Sequence, residues 1–159
     1  MAPIIRTPIT KEGYAALKRE LERLEREERP KVIVAIAEAR SHGDVSENAE
    51  LDAAREKQAL VEGMIQTLKG RLSTAEIIDV SDIDGERAVF GAWVIIENIG
   101  TGERDRYQLV GPWESDVPKG RISITSPIGK ALVGKTIGED IRVETPGGVR
   151  EFEIVGISA

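Results

Sequence analysis

Cysteine is absent from this chain and histidine occurs once, at His42. Disulfide staples, thiol nucleophiles and cysteine-based zinc sites are therefore excluded, and a lone imidazole cannot build a multi-histidine metal cage. Aromatic residues contribute only 4% of the sequence, too few for one thick core, so an elongated or divided architecture is expected. No apolar run approaches the ~20 residues needed to cross a bilayer. The opening Met1-Ala2-Pro3-Ile4-Ile5-Arg6 also lacks the basic segment and apolar stretch of a signal peptide, and the chain reads as cytoplasmic. Positive charge is short too. The 22 basic and 28 acidic side chains leave −6, the wrong sign for coating nucleic acid by neutralising its phosphates. Contact with nucleic acid would have to be local.

What is present is a chain of 159 residues, 40% hydrophobic and 31% charged, which is too apolar to be disordered and long enough for one ordinary domain or two small ones. From Lys11 to Ser73 it is dense in Glu, Arg, Lys, Leu and Ala, a helical composition. Tyr14, Leu17, Leu21 and Leu24 recur at steps of three or four, and Val32, Ile33 and Ile36 resume the apolar face after Pro30. A second set, Ala54, Gln58, Val61, Ile65, Leu68 and Leu72, steps the same way. Both are coiled-coil seams. Thr10 is placed to cap the first helix, and Gly43-Asp44 is the strong turn signal between the seams, so the helices are expected to fold back as a hairpin. A first arm of about 32 residues at ~1.5 Å each would run ~48 Å, with a bend or break at Pro30.

After Leu72 the period changes. Val89 to Asn98, Arg104 to Val110, Arg121 to Thr125, Ile141 to Glu144 and Glu151 to Ile157 are short runs rich in Val and Ile and read as strands. Asn98-Ile99-Gly100-Thr101-Gly102 and Pro146-Gly147-Gly148 supply turns, and Ser126 followed by Pro127 opens one short helix to Val133. The expected fold class is α+β: a helical hairpin domain over residues 1–79, its tip near 41–52, and a small sheet domain with one helix over 80–159. Neither half is basic, with 13 basic against 15 acidic side chains up to residue 79 and 9 against 13 beyond it.

The tip concentrates charge. Between Arg40 and Arg55 stand Asp44, Glu47, Glu50 and Asp52, with no Lys or Arg among them. Asp44-Val45-Ser46-Glu47 has the form of a capping box, which explains the first two carboxylates without any function. A long arm carrying acid to its far end is left unexplained by capping. Two carboxylates three residues apart can also help hold a hard divalent ion such as Mg²⁺, which takes oxygen ligands and often shares them with phosphate. Delivered into a site already holding one metal and a phosphodiester, such a pair could help hold a second metal and position a water. The reactive centre would then belong to a partner.

The stretch from Ala35 through Ala-Arg-Ser-His-Gly-Asp-Val-Ser-Glu-Asn-Ala-Glu to Glu50, followed by Ala53-Ala54-Arg55-Glu56, closely resembles the hairpin tip of the bacterial Gre transcript cleavage factors. The likeness continues through Ser126-Pro127-Ile128-Gly129-Lys130-Ala131-Leu132-Val133-Gly134-Lys135 and Thr145-Pro146-Gly147-Gly148 and covers nearly the whole chain. The resemblance implies an N-terminal antiparallel coiled coil and a C-terminal FKBP-like domain. It further implies that the globular domain docks at the rim of the RNA polymerase secondary channel while the coiled coil reaches the active centre. There Asp44 and Glu47 would serve as the catalytic, metal-holding pair for Mg²⁺ shared transiently with the polymerase, no metal being held stably by the free protein. The polymerase would then hydrolyse the nascent RNA 3′ end of a backtracked complex, with this chain acting as a monomer and an accessory, not an enzyme.

Arg40 and Arg55 match the family's basic patch for RNA, and solvated helix charge explains them equally well. Ser126 and Pro127 match a polymerase-contacting segment, and capping again suffices. Leu51 and Asp52 stand where members commonly carry Tyr and His, a departure expected to alter how the tip meets RNA or polymerase. His42 reads as solvated or locally bonded, and Trp93 and Trp113 as core or sheet-face residues. Three other functions compete. An anti-cleavage paralogue would block the channel, but the intact Asp44 and Glu47 speak against it. A peptidyl-prolyl isomerase would need an aromatic-lined pocket. A coiled-coil adaptor would have no need of an acidic tip.

Overall fold

The computed structural model describes residues 5–43, 48–80 and 83–159. Contacts divide the chain into a helical unit, Tyr14–Thr74, and a sheet unit, Met1–Gly13 with Ala75–Ala159. This places the N-terminal segment and residues 75–79 with the sheet unit, where the sequence division had run from 1 to 79. The reason is a short parallel pair: strand β1 (Thr7–Ile9) runs beside β2 (Ala75–Ile77), with Thr7 opposite Ala75. Among the described residues no helix is long and apolar enough to cross a membrane.

The helical unit is the expected antiparallel hairpin. Its first arm runs through α1 (Lys11–Arg23), a π-helical turn (Leu24–Glu28) and α2 (Arg29–Ser41), and its second is α3 (Ala49–Thr74), 26 residues or ~39 Å long. Leu24, Val32, Val61, Ile65 and Leu68 form the buried seam, with Leu17, Leu21 and Ile36 packed against it. Two residues expected on the apolar faces are not there: Ile33 is 54% exposed, and Gln58 is exposed as well. Where a bend or break was expected at Pro30, the arm has a π turn just before it. Proline is the second residue of α2 and has no N–H to give, and just before it the Arg29 N–H reaches back five residues to the Leu24 carbonyl. Across the hairpin, Arg29 grips Glu62 with two bonds, Nε to Oε1 at 2.7 Å and Nη2 to Oε2 at 2.9 Å. The hydrogen bond from Arg29, aided by its charge, lowers the Glu62 pKa from the ordinary carboxylate value.

The sheet unit is a five-stranded sheet in the order β5-β4-β3-β7-β6. Its strands are β3 (Trp93–Asn98), β4 (Arg104–Val110), β5 (Arg121–Ser123), β6 (Asp140–Thr145) and β7 (Gly148–Ser158). All pairings are antiparallel except β4 with β5. Alternation buries Val94 and Ile96, Ile141 and Val143, and Phe152 and Ile154 on one face, where they meet Leu109, Ile122 and Leu132. Leu132 comes from α4 (Pro127–Leu132), the expected short helix, capped as expected by Ser126, whose Oγ accepts from the Gly129 N–H at 3.1 Å. The first predicted strand is shorter than read. It starts at Trp93 and not Val89, because Gly91 takes φ +87°, which ends an extended run.

A buried carboxylate fixes the segment leading into α1. Glu114, with 3% of its side chain exposed, accepts at Oε2 from the Thr10 N–H at 3.0 Å and the Gly111 N–H at 2.8 Å. Its Oε1 accepts from the Thr10 hydroxyl and from Arg121 Nη2 at 3.2 Å. The Thr10 hydroxyl also accepts from the Gly13 N–H at 3.0 Å, so Thr10 caps α1 as the sequence suggests while being held by Glu114.

Candidate functional site

At the far end of the hairpin, α2 stops at Ser41 and α3 begins at Ala49. Asp44 and Glu47, the expected catalytic and metal-holding pair, lie outside the described residues, as does any capping bond between them. The described cap of α3 is Asn48, four residues beyond the Asp44 that the sequence suggested. Its Oδ1 accepts from the Leu51 N–H at 3.1 Å, the usual N-cap to N3 bond. Its Nδ2 donates across the hairpin to the carbonyl of Ala39, which also accepts from the His42 N–H at 3.3 Å. One amide therefore satisfies orphan groups on both helices. The chain enters this turn through Gly43 at φ +138°, a conformation that favours glycine.

The surrounding side chains sort by exposure. His42 is locally bonded, its Nδ1 lying 3.0 Å from Glu50 Oε2, which occupies one of the four tip carboxylates. Asp52 is exposed. Leu51 is fully buried, as is Ala39 at 3% exposure, so the first departure from the family pattern falls on a core position and not on the tip surface. Arg40 and Arg55, the expected RNA contacts, are both exposed, and among the described residues neither pairs with a carboxylate. Among the described residues no three His, Asp or Glu side chains converge as metal ligands. The donors of Asp44 and Glu47 are carboxylate oxygens, the chemistry Mg²⁺ prefers.

Ser126 and Pro127, the expected polymerase contacts, part company. The Ser126 hydroxyl is committed to structure, donating to the Ser123 carbonyl at 2.6 Å while capping α4. Pro127 is exposed and lines an apolar cleft of about 240 Å³ together with Tyr107, Val117, Ile128, Val143 and Pro146. Val117, 61% exposed, belongs to a 3-10 turn (Val117–Lys119) that the sequence reading did not find. Burial, and then the charge of Asp105, raise the Tyr107 pKa above the ordinary phenol value. On the outer face of β3 and β4 the Arg106 guanidinium stacks 4.0 Å from the centre of the Trp93 ring, which gives that indole a sheet-face role.

Comparison with known proteins matches both halves. The family model for the N-terminal part of transcription elongation factors covers residues 7–77, and that for the GreA/GreB C-terminal part covers residues 83–159. The transcription elongation factor GreA of Syntrophobacter fumaroxidans is 59% identical over 152 residues, 96% of this chain and 97% of that one. The GreA of Thermodesulfovibrio yellowstonii is 53% identical over 153 residues, again 96% and 97% of the two chains. Among solved structures, the GreA factor homolog Gfh1 of Thermus thermophilus is 35% identical and covers 97% of this chain and 99% of its own, with a TM-score of 0.44. With both halves matched and identity above half over nearly the full length, this chain belongs to the GreA/GreB family of transcription elongation factors.

Proposed function

We propose that this chain stimulates bacterial RNA polymerase to cleave its own backtracked transcript, so that elongation resumes. The observation that supports the reading is the hairpin itself: α2 and α3 are paired arms, and Asp44 and Glu47 belong in sequence to the stretch that joins them. A carboxylate pair at the end of such an arm can be inserted where a compact domain cannot go. The sheet unit docks outside the channel through the cleft at Pro127, where the apolar rims of Val117 and Ile128 offer area to a partner surface. The chain acts in the cytoplasm as a single copy.

In the polymerase active centre Asp44 and Glu47 contribute oxygens toward a second Mg²⁺, which when bound polarises the scissile phosphate and lowers the pKa of the attacking water. Arg40 and Arg55, flanking the acidic residues on α2 and α3, neutralise phosphates of the extruded RNA and keep its 3′ segment beside the arm. This chain supplies no nucleophile. The isomerase alternative has little to work with, since Tyr107 is the one aromatic side chain lining the Pro127 cleft and Phe152 is spent in the core.

The test uses a purified bacterial polymerase stalled in a backtracked state with labelled RNA and Mg²⁺. Wild-type protein should accelerate cleavage, while Asp44→Ala and Glu47→Ala should lose the acceleration yet still compete with wild type for polymerase. Equal activity in the variants would reduce the pair to helix caps. Inhibition by wild type would favour the channel-blocking paralogue.

A further inference from the structure

The active pair needs a fixed mount, and the described residues on either side of it show one. We infer that Asn48 is a positioning residue for transcript cleavage, fixing the two chain ends between which Asp44 and Glu47 lie; this rests on the function proposed above. The amide is used at both of its ends. Its oxygen takes the Leu51 N–H of α3, and its nitrogen gives to the Ala39 carbonyl of α2. Ala39 in turn accepts from the His42 N–H, and the Asn48 carbonyl accepts from the Asp52 N–H at 3.1 Å. Residues 42 and 48 are thus tied to one carbonyl, that of Ala39, directly on one side and through one side chain on the other. Asn48 is half-buried, next to the fully buried Leu51, so water competes poorly for these bonds. A second tie, His42 to Glu50, runs parallel to it but is exposed on both partners, 62% and 70%, and adds little.

No other residue type fills both tasks at this reach. Serine accepts as a cap but is too short to donate to the opposite helix. Aspartate accepts as a cap but has no donor, and it sets a negative oxygen against the Ala39 carbonyl. Both keep the helix start, and both cut the hairpin staple. Catalytic geometry tolerates displacements of only about 0.5 Å, so a loosened mount lowers the rate of the chemical step more than it lowers binding.

The experiment compares full-length wild type, Asn48→Ser, Asn48→Asp and Asp44→Ala. In the free protein, amide hydrogen exchange should speed up at His42 in both Asn48 variants and stay slow at Leu51, with helix content by circular dichroism unchanged. In the backtracked-complex assay the cleavage rate at saturating factor should fall at least tenfold for both, the half-saturating concentration should move less than twofold, and the Mg²⁺ requirement should rise. Full rate at saturation in Asn48→Ser, or a loss confined to affinity, would overturn the inference, as would collapse of helix content in both variants. If wild type itself fails to stimulate cleavage, or if Asp44→Ala is fully active, the proposed function has failed; wild-type behaviour of Asn48→Ser beside an inactive Asp44→Ala sinks this inference alone.

Discussion

Gly13→Ala sets two physical effects of opposite sign against each other. Gly13 is the third residue of α1, and by helix propensity alanine there should stabilise by about 0.8–1 kcal/mol. A methyl at this position, however, would sit 2.1 Å from Oε1 and 2.5 Å from Cδ of Glu114. A free carboxylate would swing aside, but this one is held by the Thr10 and Gly111 amides, the Thr10 hydroxyl and Arg121. Moving it leaves three buried donors without acceptors, at about 1–3 kcal/mol each. Arg121, 28% exposed, can turn to water. Allowing for partial relaxation, the loss should be about 3–5 kcal/mol, the range for breaking a buried ion pair, and should exceed the propensity gain severalfold. Urea unfolding can read this selectively, because both tryptophans, Trp93 and Trp113, lie in the sheet unit and the helical unit has none. With an m value near 2 kcal/mol/M, the tryptophan fluorescence midpoint should fall by roughly 1–2 M. Glu114→Ala should produce a similar fall, and the double variant should be little worse than either, since both break one device. A midpoint that rises in Gly13→Ala would show that the clamp yields and that the reasoning from its four bonds is wrong.

Further outcomes follow from the same structure. Because the Arg29 hydrogen bond lowers the Glu62 pKa in the folded state, its contribution is present above the unfolded carboxylate value of 4.5 and is lost as the pH falls through the lowered folded value. Hairpin unfolding followed by circular dichroism should therefore weaken in that acid window for wild type, and Glu62→Gln should be flatter there. Leu51→Ala should lower hairpin stability by about 2–5 kcal/mol, as for other fully buried leucines, whereas Asp52→Ala should change it by less than about 0.5 kcal/mol; thermal melts would check both. Gly129→Ala places a methyl 2.0 Å from the Ser123 carbonyl oxygen, so α4 must lift from β5, and the tryptophan-monitored midpoint should drop while binding to polymerase weakens with the displaced Pro127.

The parts of this fold that were legible are those that repeat. Steps of three and four at Leu17, Leu21, Leu24, Val61, Ile65 and Leu68 are sufficient to give two facing helices, and alternation at Val94, Ile96, Phe152 and Ile154 gives strands with one buried face. Illegible were the parts that depend on a single distant partner. A three-residue strand containing Pro8 carries no period, and β1 exists because β2, more than sixty residues later, runs beside it. Glu114 looks like any surface acid until Thr10 and Arg121 close over it. The cap of α3 was not legible for the same reason. Asn48 does stand three residues before Leu51, a visible capping interval, but Gly43-Asp44 is the stronger turn signal and drew the cap to Asp44. That the same amide reaches Ala39 follows only when both arms are in place.

The π turn joins these two kinds of information. A seam advancing 3.5 residues per step from Leu24 would bring Glu28, Lys31, Ala35 and Glu38 inward. Glu28 is half-buried, and beyond Arg29 the residues of α2 that are buried or half-buried are Val32, Ile36 and Ala39, the last three of that series each moved on by one. One extra residue in the turn from Leu24 to Glu28 performs that shift, and Pro30 removes the N–H that a regular helix would have returned to Arg26 inside it. Three successive steps of four from Leu24 through the half-buried Glu28 and Val32 to Ile36 exceed what a regular seam allows. Its consequence lies roughly four helical turns further on. Without the added residue, the charged Glu38 would face α3 where the small Ala39 now sits, and the carbonyl that receives Asn48 would point elsewhere. The register set by a widened turn in mid-arm thus decides whether the tip can be stapled at all.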